Sequence, residues 1–175
     1  MKILITEEQR DKLILKIPDI RLFGGWDVLQ KFLKRKGCPD YSIEGDLFLG
    51  GTSIKSLGNL TSVGGYLNLG RTPIESLGNL ESVGGYLSLV GTSIKSLGDL
   101  KSVGGYLNLM NTPLTTLEKL EYVGGNLDLF NTPLTSLGKL EYVGGNLDFE
   151  GTPISIKYSE KEIREMVDVK GDIYM

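Results

Sequence analysis

The sequence predicts a solenoid, an α/β coil with one parallel β-sheet of about seven short strands and a helical cap before it. Three observations carry this. Of the 24 glycines in 175 residues, 21 fall in five columns of a 20-residue unit, so the excess is phased and not scattered. Each unit holds a Leu-x-Leu pair with the period of a strand. Each unit also carries six apolar positions, which so short a segment cannot bury alone but which stacked copies bury against one another.

The reference unit begins Val63-Gly64-Gly65-Tyr66-Leu67-Asn68-Leu69, and the phrase returns at Val83, Val103, Val123 and Val143 in steps of 20 residues. A looser copy starts at Ile43, and a last one at Val169 follows a 26-residue step. The units starting at Val103 and Val123 agree at 15 of 20 positions. Leu67 and Leu69 alternate around Asn68, which puts one face of a short strand in the core. Ile74, Leu77, Leu80 and Val83 follow at spacings of three, predicting a tight, turn-rich return and not another strand. Burying one such side chain contributes about 1.5–3 kcal/mol, so successive coils are strongly coupled.

The glycine columns then acquire local reasons. The second glycine of the pair, as in Gly45, Gly65 and Gly171, precedes the strand, where positive φ or close approach between coils excludes a Cβ. Gly58, Gly78, Gly98 and Gly138 mark a second bend, with Glu118 as the exception. Thr52, Thr72, Thr92, Thr112, Thr132 and Thr152 mark the strand exits, where stacked hydroxyls are placed to bond turn backbone.

The unit resembles leucine-rich repeats. Leu67-x-Leu69-x-x-Thr72-x-Ile74 matches that family's LxLxxNxL core, with threonine in place of asparagine. The Val-Gly-Gly-x-Leu-x-Leu phrase is similar to short repeats of bacterial and bacteriophage proteins and to receptor L domains. The likeness covers residues 43 to 156 and, in part, 169 to 175. It implies a right-handed coil with its strands in one parallel sheet, and service as a recognition scaffold. The threonine departs from the family's asparagine ladder but not from its coil.

Residues 1–42 do not repeat and are assigned as an N-terminal helical cap, with 43–175 as one cooperative solenoid. Ile3-Leu4-Ile5 suggests a short strand, and Thr6-Glu7-Glu8-Gln9 a capping box opening a helix to about Lys16. Pro18-Asp19 breaks that helix. A second is predicted from about Trp26 to Lys36, with Trp26, Leu29 and Leu33 on one face and Gly37 as its stop. Ser159-Glu160-Lys161-Glu162 is another capping box, predicting a helix from Glu160 to about Val167. Asp172 to Met175 then forms a final strand with an unprotected edge. The opening Lys2-Ile3-Leu4-Ile5 looks like the start of some phage-encoded proteins.

Composition removes whole classes of chemistry. With no histidine there is no Ser-His-Asp or Cys-His machinery and no His-ligated metal. The single cysteine, Cys38, forms no disulfide within the chain and is assigned to the buried part of the cap. A net charge of −3 argues against nucleic acid as a partner. No apolar run approaches the length of a membrane span, so no membrane partner is expected and the location is taken as cytoplasmic, in a bacterial cell or a phage-infected host, with virion association as the variant. The glycine pairs lack the GxGxxG and GK[ST] spacings of nucleotide loops. Glu121 and Glu141 share a column but form no cleft for acid–base work. Lys31, Lys34, Arg35 and Lys36 suit a helix C-terminus facing its own dipole.

Candidate binding residues come from the outward side of the strands. If Leu67 and Leu69 point inward, Tyr66 and Asn68 point outward. Tyr66, Tyr86 and Tyr106 form an aromatic ladder, bordered by Val90, Met110 and Phe130, with Asn68, Asn108, Asp128 and Asp148 beside it. Exposed aromatic and apolar surface marks interfaces, and stacked tyrosines also stabilise neighbouring strands, so both readings stand. Asp128, Asp148, Glu150 and Asp172 make an acidic end, which at one carboxylate per coil falls short of the six or more oxygens calcium requires. The expectation is a non-enzymatic scaffold without cofactor or metal, binding a protein partner (a host protein, if the source is a phage). A self-assembling protein pairing as a homodimer through the C-terminal edge strand is the alternative, and a carbohydrate-binding module the third reading.

Overall fold

In the computed structural model, which describes residues 14–175, the repeat winds into a solenoid whose strands all pair in parallel. Equivalent residues stack in register: Val63 faces Val83, Val83 faces Val103, and Leu67 faces Leu87. Within one unit Val63, Leu67, Leu69, Ile74, Leu77 and Leu80 are at most 1% exposed, and the same columns run on as one continuous core.

The expected single sheet is corrected to two, of seven and eight strands. The seven-stranded sheet holds the Leu-x pairs, such as Leu67–Asn68 and Leu107–Asn108. The eight-stranded sheet runs through segments such as Ser82–Val83 and Ser102–Val103, in the stretch where the spacing predicts only turns. A two-residue strand with one inward valine shows no alternation, so the period-2 test does not register it. Its backbone is paired by the neighbouring coil, as when Gly84 N–H donates to the Val63 carbonyl at 2.8 Å. Isolated bridges between Ser76 and Ser96, and between Thr116 and Ser136, pair a third stretch of the coil.

Close approach, not positive φ, explains the glycine pairs. A Cβ on Gly84, Gly104 or Gly124 would stand well inside contact distance of the carbonyl oxygen one coil before it. The second glycine makes room for a side chain in some coils and for backbone in others: a Cβ on Gly65 would collide with the Asp46 carboxylate and one on Gly85 with the Tyr66 ring, while one on Gly105 or Gly125 would crowd the backbone of the coil before it. The other bend does need a left-handed backbone, with Gly78 at φ +61° and Glu118 holding the same conformation at +51°. Glu118 is held there in part by its carboxylate, which accepts from Ser96 Oγ at 3.0 Å and Gly98 N–H at 3.1 Å. At the strand exits the threonine hydroxyls bond backbone as expected, Thr72 donating to the Leu69 carbonyl at 2.7 Å and Thr92 to that of Leu89 at 2.8 Å. These bonds stay within a coil, so the threonines form no ladder between coils.

Both ends use 26-residue coils, with room for helices. Leu15–Ile17 is a strand paired with Tyr41–Ile43, not the end of a helix, so the eight-stranded sheet runs across the expected boundary at residue 42. Pro18 disfavours helical geometry at Ile17. The strand suggested at Ile3–Ile5 and the capping box at Thr6–Gln9 lie outside the described residues. The helix Trp26–Arg35 buries Leu29 and Leu33 and leaves Trp26 half-buried. It ends at Gly37, φ +82°, with Cys38 N–H donating to the Leu33 carbonyl and Gly37 N–H to that of Lys34. That motif turns Cys38 outward. The thiol is exposed, which corrects its assignment to the buried cap. At the other end Pro153–Lys157 forms a helix the spacing did not predict, capped by Thr152. Glu160–Met166 follows with the expected Ser159/Glu162 capping box, and Ile173–Tyr174 pairs with Leu147–Asp148.

Candidate functional site

The outward side of the seven-stranded sheet carries the candidate residues. With Leu67 and Leu69 fully buried, the residues between and before them face away from the core. Phe48 is 63% exposed, Tyr66 52% and Phe130 37%, while Val90 and Met110 are half-buried at the border. The tyrosines form a continuous ladder. Tyr66 meets Tyr86 edge-on, with ring centroids 6.4 Å apart, and Tyr86 stacks on Tyr106 at 5.1 Å and 18°.

A polar network ties the end of this ladder to the next coil. Tyr106 Oη donates to Asp128 Oδ2 at 2.9 Å and accepts from Asn108 Nδ2 at 2.9 Å. Burial, and then the bond to Asp128, push the Tyr106 hydroxyl above the ordinary tyrosine range, so it stays a protonated donor at neutral pH.

The polar positions beside the ladder have a backbone task that their sequence pattern does not announce. Asn68 Oδ1 accepts from Gly70 N–H at 3.0 Å, Asn108 Oδ1 from Met110 at 3.1 Å, Asp128 Oδ1 from Phe130 at 3.0 Å and Asp148 Oδ1 from Glu150 at 2.9 Å. Each is an Asx turn fixing the strand exit. Asn108 is 8% exposed and supports Tyr106 and Met110 from below, so it offers little surface of its own. Asp128 and Asp148 remain half-buried, with their charge at the surface. In the neighbouring outward column, Asp46 and Asn126 accept the N–H of Tyr66 and Asn146 one coil on. The structure therefore joins Tyr66, Tyr86, Tyr106 and Asp128 in one chain of contacts, places Phe130 and Met110 at its border, and leaves Asp148 outside the network.

A second aromatic pair lies on the other sheet. Tyr122 and Tyr142 stack at 5.0 Å and 4°, with the Lys170 ammonium 5.7 Å from the Tyr142 centroid and paired to Asp168 at 2.8 Å. Each of these tyrosines precedes a repeat valine, so its outward direction emerges only once the valine is known to sit in a strand. Among the described residues no group of three or more Cys, Asp and Glu is placed to hold a metal ion, and no helix is long and apolar enough to cross a membrane. The arrangement offers flat rings, apolar border atoms and fixed carboxylates, which are the materials of a contact surface. Comparison with family models, curated proteins and solved structures gives no match.

Proposed function

We propose that this protein is a non-enzymatic scaffold that holds a protein partner against the outward face of its seven-stranded sheet. The observation that carries this reading is the aromatic and apolar strip from Phe48 and Tyr66 to Phe130, exposed on a face whose backbone is held by Asx turns and core packing. Rings pinned in place lose little conformational entropy on binding, which favours association. The likeness of the repeat phrase to leucine-rich repeats, a family of recognition scaffolds, points the same way, and its likeness to bacteriophage repeats makes a host protein the natural target.

The test is affinity capture with cross-linking, using the wild-type chain, the double variant Met110→Asp/Phe130→Asp and a control with Ser82→Lys on the other sheet. A partner kept by the wild type and the control, and lost on the double variant, supports the reading. Capture that is unchanged by the double variant removes it, provided circular dichroism confirms that both variants keep the fold. Self-association through the C-terminal strand is separated by light scattering of the chain against one ending at Val167; a mass that stays monomeric in both removes that alternative.

A further inference from the structure

Charge is distributed unevenly over this face, and the unevenness specifies the partner. The outward residues of the seven-stranded sheet and its exits occupy twenty positions, in columns running from Asp46, Phe48 and Gly50 to Asp172, Tyr174 and Glu150. At 19 Lys and Arg in 175 residues, an even distribution would place about two cations there. None is present. The same positions carry five carboxylates, Asp46, Asp128, Asp148, Glu150 and Asp172, more than the whole chain's net charge of −3. Two arginines adjoin its N-terminal half: Arg21, paired to Asp19, lines a cavity with Asp46 and Phe48, and Arg71 follows the exit position Gly70 in a left-handed corner, so the uncompensated acidity lies at the Asp128–Asp148–Glu150 end. Elsewhere the chain interleaves its signs, as in the ion pairs Glu75–Lys95, Glu81–Lys101 and Asp99–Lys119, each joining neighbouring coils.

The carboxylates are held in fixed positions among the rings. Asp128 and Asp148 are fixed by their turns, Asp46 by the Tyr66 N–H, and Glu150 and Asp172 are exposed at the C-terminal end. Between them lie Tyr66 and Phe130, exposed rings of the kind whose faces attract ammonium and guanidinium groups. Resting on the scaffold reading above, we infer that the partner is a protein presenting a Lys- and Arg-bearing segment, docked with its cations at the Asp128–Asp148–Glu150 end and its aliphatic stems along the aromatic strip. Electrostatic complementarity of this kind sets encounter rate and specificity, and the rings add desolvated contact area.

The test is selection from a display library of random 12-residue peptides on the full chain, repeated on Asp128→Asn/Asp148→Asn/Glu150→Gln and on Met110→Asp/Phe130→Asp. Asparagine keeps the turn-accepting oxygen and already stands in this column at Asn68 and Asn108, so the neutralised variant retains the local structure. The expected result is a pool enriched in Lys and Arg, lost on the apolar variant and weakened about tenfold on the neutralised one, with binding falling further as salt is raised from low to high. A pool that depends on Met110 and Phe130 but shows no basic bias, or ignores neutralisation, overturns the inference and leaves the scaffold reading standing. A pool that ignores both variants overturns both.

Discussion

The hydroxyl of Tyr106 donates to the carboxylate of Asp128 at 2.9 Å, binding one coil to the next at the point where the aromatic ladder meets the acidic end of the sheet. The same hydroxyl accepts from Asn108, which in turn holds the Met110 N–H. The ladder is therefore a joint between coils as well as a surface.

Tyr106→Phe keeps the stack on Tyr86 and removes both hydroxyl bonds. The expected loss is about 1–2 kcal/mol, since a part-buried bond to a charged group is deleted while its partners stay reachable by water. For a chain of this length that lowers Tm by roughly 3–6 °C. Calorimetry checks it, and an unchanged Tm means that the network contributes nothing.

Tyr41 predicts an alkaline transition. Its buried hydroxyl donates to the Leu57 carbonyl at 2.6 Å and accepts from Gln30 at 3.0 Å, and burial pushes its pKa from 10.0 to about 12. A tyrosine whose folded pKa is raised holds its proton more tightly when folded. The stability linked to that proton is fully present below pH 10 and is lost as pH rises toward 12. Denaturant unfolding at pH 8, 10 and 11.5 should show the fall. Tyr41→Phe should be less stable at pH 8 by about 1–3 kcal/mol, and its stability should fall less between pH 10 and 11.5.

Gly78 and Gly104 answer to different physics, and two alanine substitutions separate them. Gly78→Ala meets nothing within 4 Å and suffers only its φ of +61°, a cost of about 1 kcal/mol. Gly104→Ala drives a methyl into the Gly84 carbonyl and should cost about 3 kcal/mol, with strands pushed apart. Equal losses in chemical denaturation would contradict the close-approach account.

Thr92 is 5% exposed and its hydroxyl is committed to the Leu89 carbonyl. Thr92→Val preserves shape and removes the donor, with an expected loss of about 1 kcal/mol. Because the bond is local to one coil, the loss should add to that of Thr112→Val in the next coil, whose hydroxyl bonds the Leu109 carbonyl. A double variant that loses markedly less than the sum would indicate a ladder between coils.

Much of this architecture was legible in the residues because a repeat states its own register. Recurrence places Val63, Leu67, Leu69, Ile74, Leu77 and Leu80 in the core, and all are buried. The strand at Leu15–Ile17 does not stand out in the sequence, although Ile17 lies 26 residues before Ile43, the same step as from Val143 to Val169. A single copy with one inward residue carries too little pattern, and the neighbouring charged box favours a helix. The exposure of Cys38 is not legible in the sequence, because a helix-ending motif determines its direction and no periodicity extends into that turn.

The sequence by itself determined the coil, its period, its core columns and the outward direction of the tyrosines. These follow from local alternation and from apolar groups that only stacking can bury. Tertiary structure alone decided that there are two sheets, that the paired glycines answer to carbonyls and side chains one coil away, and that Asn68, Asn108, Asp128 and Asp148 serve turns before they serve a partner. Those are relations between atoms twenty residues apart or between a side chain and its own turn. Column composition lists the groups, while only the wound backbone sets the distances at which they meet.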